Sequence, residues 1–529
     1  MSLVNPLEAL LSGVSPDHPR IELYLEYWAR VSPFEIAAID GDVRISYRDL
    51  ADAVDRIARG FIAAGIGPGD CVAVLAPPSI DFLASFLATL KAGATWLGVN
   101  PKYTRREIEH VLSDAAPKLL LARRRILDRD YGEDVAEAER AIAPAPFRVW
   151  WLEPASGGAI SPGMLRDADT DAPPRDVTPS DIAAYVYTSG STGAPKAACL
   201  SHLALIRGAL VRHRAWPVRP LRLINNLPIN HVGGLGDVAC TAIVAGGSQV
   251  FLEKFTAAGT LRALYEHGVT YWYQAPTMFE MCMTAPEAKD MNWSHLQAAI
   301  WSGGRPSDTL LGRLAEAAPL LGMDYSMTES VGPITLTPLW ESRLAHDGSV
   351  GWPDPGRSLR IGEGGGADPD GGGEGRTGEV MIRDDWMFSG YRNMAGTGDA
   401  FTADGWFRTG DLAALGHGGR WRLVGRSKEM FKSGGYNVYP REVEMAIEAH
   451  PAVASAVVVD VPDPLFGEVG VAFVVAAGAG VTADGLRAHC RDRLANYKVP
   501  KHFEFLESLP MLAIGKVDKL ALRKRLVAS

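Results

Sequence analysis

The stretch YTSGSTGAPKAA, from Tyr187 to Ala198, concentrates groups that can hold an anion. The hydroxyls of Thr188, Ser189, Ser191 and Thr192 alternate with Gly190 and Gly193, and Lys196 follows. Glycine lets the backbone approach a phosphate closely, while hydroxyls, amides and a lysine donate to its oxygens. The chemistry this suggests is the cradling of a polyphosphate. It is not a Walker A loop, because no Gly-Lys-Ser/Thr follows four residues after a glycine. Taken alone, a run of Ser, Thr and Gly is more often a solvated turn.

The loop needs a strand before it and a scaffold around it. Asp181 to Thr188 reads as a strand that runs into the glycines, and Ser201 to His213 as a helix after them. Upstream, residues 49 to 65 place apolar side chains at helical spacing, Cys71 to Leu75 reads as a buried strand and Ile80 to Ala92 as a second helix. Helical segments alternating with β-branched runs predict an α/β architecture. Between Ile361 and Gly375, IGEGGGADPDGGGEG has too little apolar surface to pack and reads as an exposed connection. Beyond Leu423 the texture changes. Strands near Ala454 to Val461 and Val471 to Val475, then a helix from Asp484 to Leu494, predict a separate small α+β unit.

The chain has 529 residues, of which 47% are hydrophobic and 22% charged, and 53 Lys and Arg against 62 Asp and Glu give a net charge of −9. Single cores rarely grow past roughly 250 to 300 residues, so two or three units are expected. The acidic balance and scattered cations give no basic face for a nucleic acid. Five cysteines, Cys71, Cys199, Cys240, Cys282 and Cys490, lie far apart without a CxxC pair, which argues against a disulfide framework and against a zinc ribbon. The first twenty residues lack the basic and apolar regions of a signal peptide, and the longest mostly apolar stretch, Val469 to Val481, is too short to span a bilayer. A cytoplasmic protein without a membrane span is the expectation.

Further strings follow in order: LKAGATWLGVNP at 90–101, LPINHVGG at 227–234, YSMTES at 325–330, GEVMIR at 378–383, GWFRTGD at 405–411, VGRSKEMFKSGGYNVYPREVE at 424–444 and LPMLAIGKVDK at 509–519. Together with the loop at 187–198, this series resembles the adenylate-forming superfamily of acyl-CoA synthetases, peptide-synthetase adenylation domains and insect luciferases. The match covers nearly the whole chain. It implies a large multi-subdomain N-terminal adenylate-forming domain over 1–425, a hinge at 426–428 and a mobile C-terminal domain over 429–529. It also implies ATP, Mg2+ and CoA as ligands.

In that family a carboxylate attacks the α-phosphorus of ATP, pyrophosphate leaves, and the acyl group passes from the adenylate to a thiol. Two anions meet in the first step, so fixed cationic and hydrogen-bonding groups should dominate catalysis. By resemblance, Lys516 bridges acid and α-phosphate, Thr328 contacts the α-phosphate and Glu329 binds magnesium, for which one carboxylate with phosphate and water oxygens suffices. Tyr325 offers a face to adenine, Asp411 accepts from the ribose hydroxyls, and Arg426 and Gly304 complete the nucleotide site. Lys428 matches the hinge, and Gly434 with Gly435 would leave room for a pantetheine arm. His231 matches a gate beside the acid.

Acid-pocket walls are expected from Val232 to Asp237, Gln274 to Phe279, Ser302 to Arg305 and Ser330 to Ile334. Mostly small or apolar, they favour a hydrophobic aliphatic (fatty) or aryl carboxylate. The sequence departs from the pattern in several places. Ala197 and Ser326 stand where glycine is usual, and Arg305 stands where a small residue is common, close enough in type to recognise a second carboxylate, to pair with Asp308 or to meet the nucleotide. The leading reading is an acid:CoA ligase. The alternative is an adenylate-forming ligase that delivers to a carrier protein, and a homodimer stays open.

Overall fold

A computed structural model describes residues 18–142, 147–153, 159–165, 177–188, 195–338, 348–362, 377–393, 400–427, 429–434, 436–478, 480–511 and 517–527. The chain is mixed α/β, with a large N-terminal and a smaller C-terminal domain. Two sheets carry most of the large domain. The first is six-stranded, in the order Lys196–Ser201, Ile182–Thr188, Thr95–Gly98, Cys71–Leu75, Leu119–Arg123 and Arg148–Leu152. Its strands are parallel except Lys196–Ser201, which folds back on Ile182–Thr188 with Lys196 opposite Thr188. The nine-stranded second sheet has a parallel centre that includes Tyr271–Gln274, Ala298–Ser302 and Leu320–Ser326.

Local chemistry sets the element ends. The helix expected over 49 to 65 runs Tyr47–Ala63, because the Ser46 side chain accepts from the Asp49 amide and starts it two residues earlier. The Ser201 side chain likewise accepts from the Ala204 amide at the start of His202–Ala215. The strand Cys71–Leu75 and the helix Ile80–Lys91 follow the expected periodicity and are buried almost throughout. Leu50, Val54 and Ile57 belong to the same core as Leu83, Phe86, Leu87 and Trp96. The segment after His231 differs from any simple periodic reading, since Gly233–Cys240 forms a buried π-helical stretch.

A four-stranded antiparallel sheet, Leu359–Ile361, Thr377–Ile382, Phe407–Leu415 and Trp421–Arg426, precedes the small domain. Residues 363–376 of the glycine-rich connection lie outside the described residues. The small domain pairs the long strands Val453–Asp463 and Gly467–Ala476 and adds His502–Leu506 in parallel beside the second. Its helices Pro440–Glu448 and Ala483–Arg491 bury Val443, Ile447 and Leu486 against Val458, Ala472 and Val474. All five cysteines are free thiols. Among the described residues no helix is long and apolar enough to cross a membrane.

Candidate active site

Strand ends and turns from three sheets supply the candidate residues. Tyr325 is the penultimate residue of the strand Leu320–Ser326, and its hydroxyl donates to Asp411 Oδ2 at 2.7 Å. Asp411 lies opposite Arg426 in the antiparallel register, and Arg426 Nε reaches Asp411 Oδ1 at 2.9 Å. Each carboxylate oxygen therefore has one protein donor and keeps lone-pair capacity for more. Burial, reinforced by the Asp411 carboxylate, pushes the Tyr325 hydroxyl far above the usual phenol range. Asp411 in turn raises Arg426 further into its charged range. Tyr325, Asp411 and Arg426 thus form one connected polar corner.

Thr328, Glu329 and Ser330 form a single 3-10 turn, buried at all three positions. The backbone then enters the left-handed region at Val331, φ 60°, which is strained for a β-branched residue. A Cβ on Gly208 would lie 2.8 Å from the Val331 carbonyl oxygen, so helix and turn meet backbone to backbone. Glu329 Oε1 accepts from the Tyr391 hydroxyl at 2.6 Å, and its carbonyl accepts from the Phe388 amide at 2.9 Å. Tyr391 bridges to Ala198, and Lys196 Nζ stands 5.8 Å from the centre of its ring. Through Tyr391 the hairpin carrying Thr188 and Lys196 meets Glu329, a link that the sequence did not signal.

Polar contacts run through and behind the stretches expected to wall the acid. His231 is exposed and accepts the Gly233 amide on Nδ1 at 2.9 Å. Asp237 turns away into a buried cluster, with Arg212 Nη2 at 2.6 Å from Asp237 Oδ1 and 3.2 Å from Asp324 Oδ2. The Tyr273 hydroxyl reaches both carboxylates, at 3.0 and 3.3 Å. Burial pushes Asp237 up to about 7 against the pull of Arg212. Ser302 Oγ donates to the Asp324 carbonyl at 3.2 Å and lies 3.3 Å from Ser326 Oγ, so the extra side chain at 326 joins a polar pair. Arg305 pairs with Asp308 at 3.0 Å, and Gly304 beside it is exposed.

In the small domain Gly434 adopts φ 58°, and its amide donates to the Phe466 carbonyl at 2.8 Å. Lys519 Nζ holds Glu429 at 2.6 Å. Ser189, Gly190, Ser191, Thr192, Gly193, Lys428, Gly435 and Lys516 lie outside the described residues. Among the described residues no group of three or more His, Cys, Asp and Glu could hold a metal.

Residues 25–392 match the family model for AMP-binding enzymes, and residues 442–516 match the model for their C-terminal domain. The chain belongs to the AMP-binding enzyme family. Within the adenylate-forming superfamily this AMP-binding enzyme falls among the acyl-CoA synthetases, the AMP-forming acid–thiol ligases. It is 32% identical over 501 residues to a feruloyl-CoA synthase from an Amycolatopsis species, covering 94% of this chain and 97% of the relative. It is 30% identical over 526 residues to a fatty acid–acyl-carrier-protein ligase from Streptomyces coeruleorubidus, covering 96% and 97%. The crystal structure of ATP-bound MatB from Rhodopseudomonas palustris superposes on the AMP-binding enzyme with a TM-score of 0.82, at 29% identity, over 96% of this chain and 99% of that one.

Proposed function

We propose that the protein is an ATP-dependent acid:CoA ligase that activates a hydrophobic aliphatic or aryl carboxylate as its adenylate and then transfers the acyl group to the CoA thiol. The observation that carries this reading is the convergence of two polar corners, Tyr325–Asp411–Arg426 and Glu329–Tyr391–Lys196, from strands far apart in the chain. The first suits a nucleoside, with Asp411 held from both sides so that its remaining lone pairs face ribose hydroxyls. The second suits a polyphosphate, with Lys196 supplying positive charge and Glu329 the carboxylate for Mg2+. That ion, when bound, neutralises charge on the departing pyrophosphate.

Adenylation breaks the bond between α-phosphorus and the bridging oxygen of pyrophosphate and forms one to the acid oxygen. Thr328 donates to the α-phosphate, and Lys516 bridges the acid and that phosphate. In the second step the thiol sulfur attacks the acyl carbon, its proton is lost and AMP leaves. A domain boundary with 1–425 on one side, a hinge at 426–428 and 429–529 on the other lets Lys516 serve first and the Gly434–Gly435 loop second. It fits the end of one sheet at Arg426 and the start of the next at Phe431.

Pyrophosphate release over aryl, short-chain, medium-chain and dicarboxylic acids, with and without CoA, tests the reading. Multiple turnovers only with CoA support it. A single burst with CoA that becomes continuous with a carrier protein favours the alternative acceptor, to which the resemblance to an acyl-carrier-protein ligase lends support. Lys516→Ala should abolish adenylation while sparing thioester formation from supplied adenylate, and equal losses in both would remove Lys516 from this role.

A further inference from the structure

The turn that presents Thr328 and Glu329 is held from below by a side chain that the site readings above do not use. Arg357 is buried, and its guanidinium has partners on every side. Nη2 donates to the Ser330 carbonyl, and Nε donates to the Pro333 carbonyl at 2.7 Å. These two acceptors flank the strained Val331–Gly332 step. Nη1 meets Asp384 Oδ2 at 2.8 Å, and the guanidinium carbon lies 3.5 Å from the centre of the Trp386 ring. A planar fork with five donors can satisfy this set, whereas an ammonium cannot reach both carbonyls and the carboxylate in one geometry.

Asp384 and Trp386 begin the segment that ends on Glu329. Two residues beyond Trp386, the Phe388 amide donates to the Glu329 carbonyl, and Tyr391 then donates to the Glu329 carboxylate. The same segment pairs with the hairpin of Lys196, through Ser389 N to Cys199 O at 2.8 Å and Arg392 N to Ala197 O at 2.9 Å. One guanidinium is therefore tied to Glu329 along two routes, its own turn and the segment that orients its carboxylate.

We infer that Arg357 is a positioning residue for adenylation, clamping the Thr328–Glu329 turn and the Asp384–Tyr391 segment together so that Glu329 and Lys196 face the same polyphosphate. The inference rests on the ligase reading for its substrate but on the hydrogen-bond geometry for the clamp. Loosening the clamp should harm the step that needs the polyphosphate and spare the step that follows its departure. Burial pulls the Arg357 guanidinium down to about 10, against the pull of Asp384, so the cation persists at neutral pH.

The test compares Arg357→Met, Arg357→Lys and Asp384→Asn in the full-length chain. A misplacement near 1 Å costs about 100-fold, so Arg357→Met should slow ATP–pyrophosphate exchange by about that factor and raise the Mg2+ needed for half-maximal rate. Thioester formation from supplied acyl-adenylate should change less than about threefold, and Arg357→Lys should recover part of the loss through its charge. Equal loss in both half-reactions, or unchanged exchange in a folded Arg357→Met protein, would overturn the inference. Amide hydrogen exchange reads the clamp without any substrate. Residues 328–334 and 388–391 should exchange at least about tenfold faster in Arg357→Met while 71–75 stays protected, and no difference there overturns it. If Arg357→Met does not fold, the other two variants decide by the same measurements. A wild-type chain inactive towards every acid would defeat the ligase reading, and the hydrogen-exchange arm would still judge the clamp.

Discussion

Removing the cation from the buried Arg212–Asp237–Asp324 cluster is the sharpest perturbation this fold offers. Arg212, on the helix His202–Ala215, is 1% exposed, and its partners Asp237 and Asp324 are 4% and 0% exposed. One guanidinium and the Tyr273 hydroxyl serve two carboxylates. Met at position 212 keeps most of the side-chain volume and takes away the charge, so the loss is electrostatic. Breaking a buried pair by deleting one partner costs about 3 to 5 kcal/mol, because the remaining charge has no water to turn to.

The pH dependence fixes the sign. Burial already holds Asp237 up to about 7, so between its ordinary value of 3.8 and about 7 the folded chain holds a proton that the unfolded chain has lost. Stability from this group is greatest below 3.8 and declines as pH rises to about 7. Without Arg212 the folded pKa moves higher still. Wild type and Arg212→Met then titrate alike below about 7, and above it the deficit of the variant grows by up to about 1.4 kcal/mol per pH unit. Urea midpoints of the large-domain transition, followed by tryptophan emission at pH 6 and pH 9 with m unchanged, measure this. Adding Asp237→Asn to the variant should return at least about 1 kcal/mol at pH 9, a coupling expected only of groups in contact. An Arg212→Met deficit below about 1 kcal/mol at both pH values would refute the reasoning.

Other outcomes follow from single contacts. Tyr391→Phe removes the hydroxyl that fixes Glu329 and should raise the Mg2+ requirement of ATP–pyrophosphate exchange about tenfold, near the worth of one hydrogen bond to a charged group; an unchanged Mg2+ titration contradicts this. Burial pushes the thiols of Cys71 and Cys282 up to about 12 and those of Cys199 and Cys490 up to about 11, with Cys240 higher again. A disulfide thiol reagent at pH 8 should therefore titrate the four buried cysteines, Cys71, Cys240, Cys282 and Cys490, only after denaturation, and rapid reaction of more than one thiol, the half-buried Cys199, in native chain would be inconsistent with that burial. Burial, with help from Arg219, holds His213 down to about 4, where its neutral ring lies 3.1 Å from the Arg219 guanidinium. The stability this gives is complete above the ordinary value of 6.5 and is lost as pH falls towards 4. His213→Gln should lose less than wild type between pH 7 and 4.5, by up to about 3 kcal/mol, and parallel acid curves would count against it.

Contiguous chemistry was the legible part. The Thr-Glu pair at 328 and 329 announces itself within a few residues and falls in one buried turn, whereas the Ser46 cap, which starts its helix two residues before the expected 49, went unread. The acid side was harder. Asp237 could be placed near the expected gate, but its partner Arg212 sits a helix earlier and its neighbour Asp324 four strands later, so walls that look small and apolar in sequence conceal an ionic cluster. The π-helical stretch Gly233–Cys240 escaped for a related reason, since apolar spacing does not separate a π-helix from an α-helix over eight residues.

The support of the Thr328–Glu329 turn was beyond sequence reading in a deeper sense. Arg357 bonds to the carbonyls of Ser330 and Pro333, groups that every residue owns, so neither position carries a side-chain type that names its partner. Tyr391 does use its side chain, but 62 residues separate it from Glu329 and only the pairing of 389–392 with 197–199 brings them together. A backbone that must sit at φ 60° on a valine needs such outside restraint, because its own conformational preference opposes it. The candidate site residues can therefore be picked out by type, while the residues that pack beneath them are chosen by geometry. Substitutions at Arg357, Asp384 and Tyr391 should consequently separate the two half-reactions as cleanly as substitutions in the signature strings themselves.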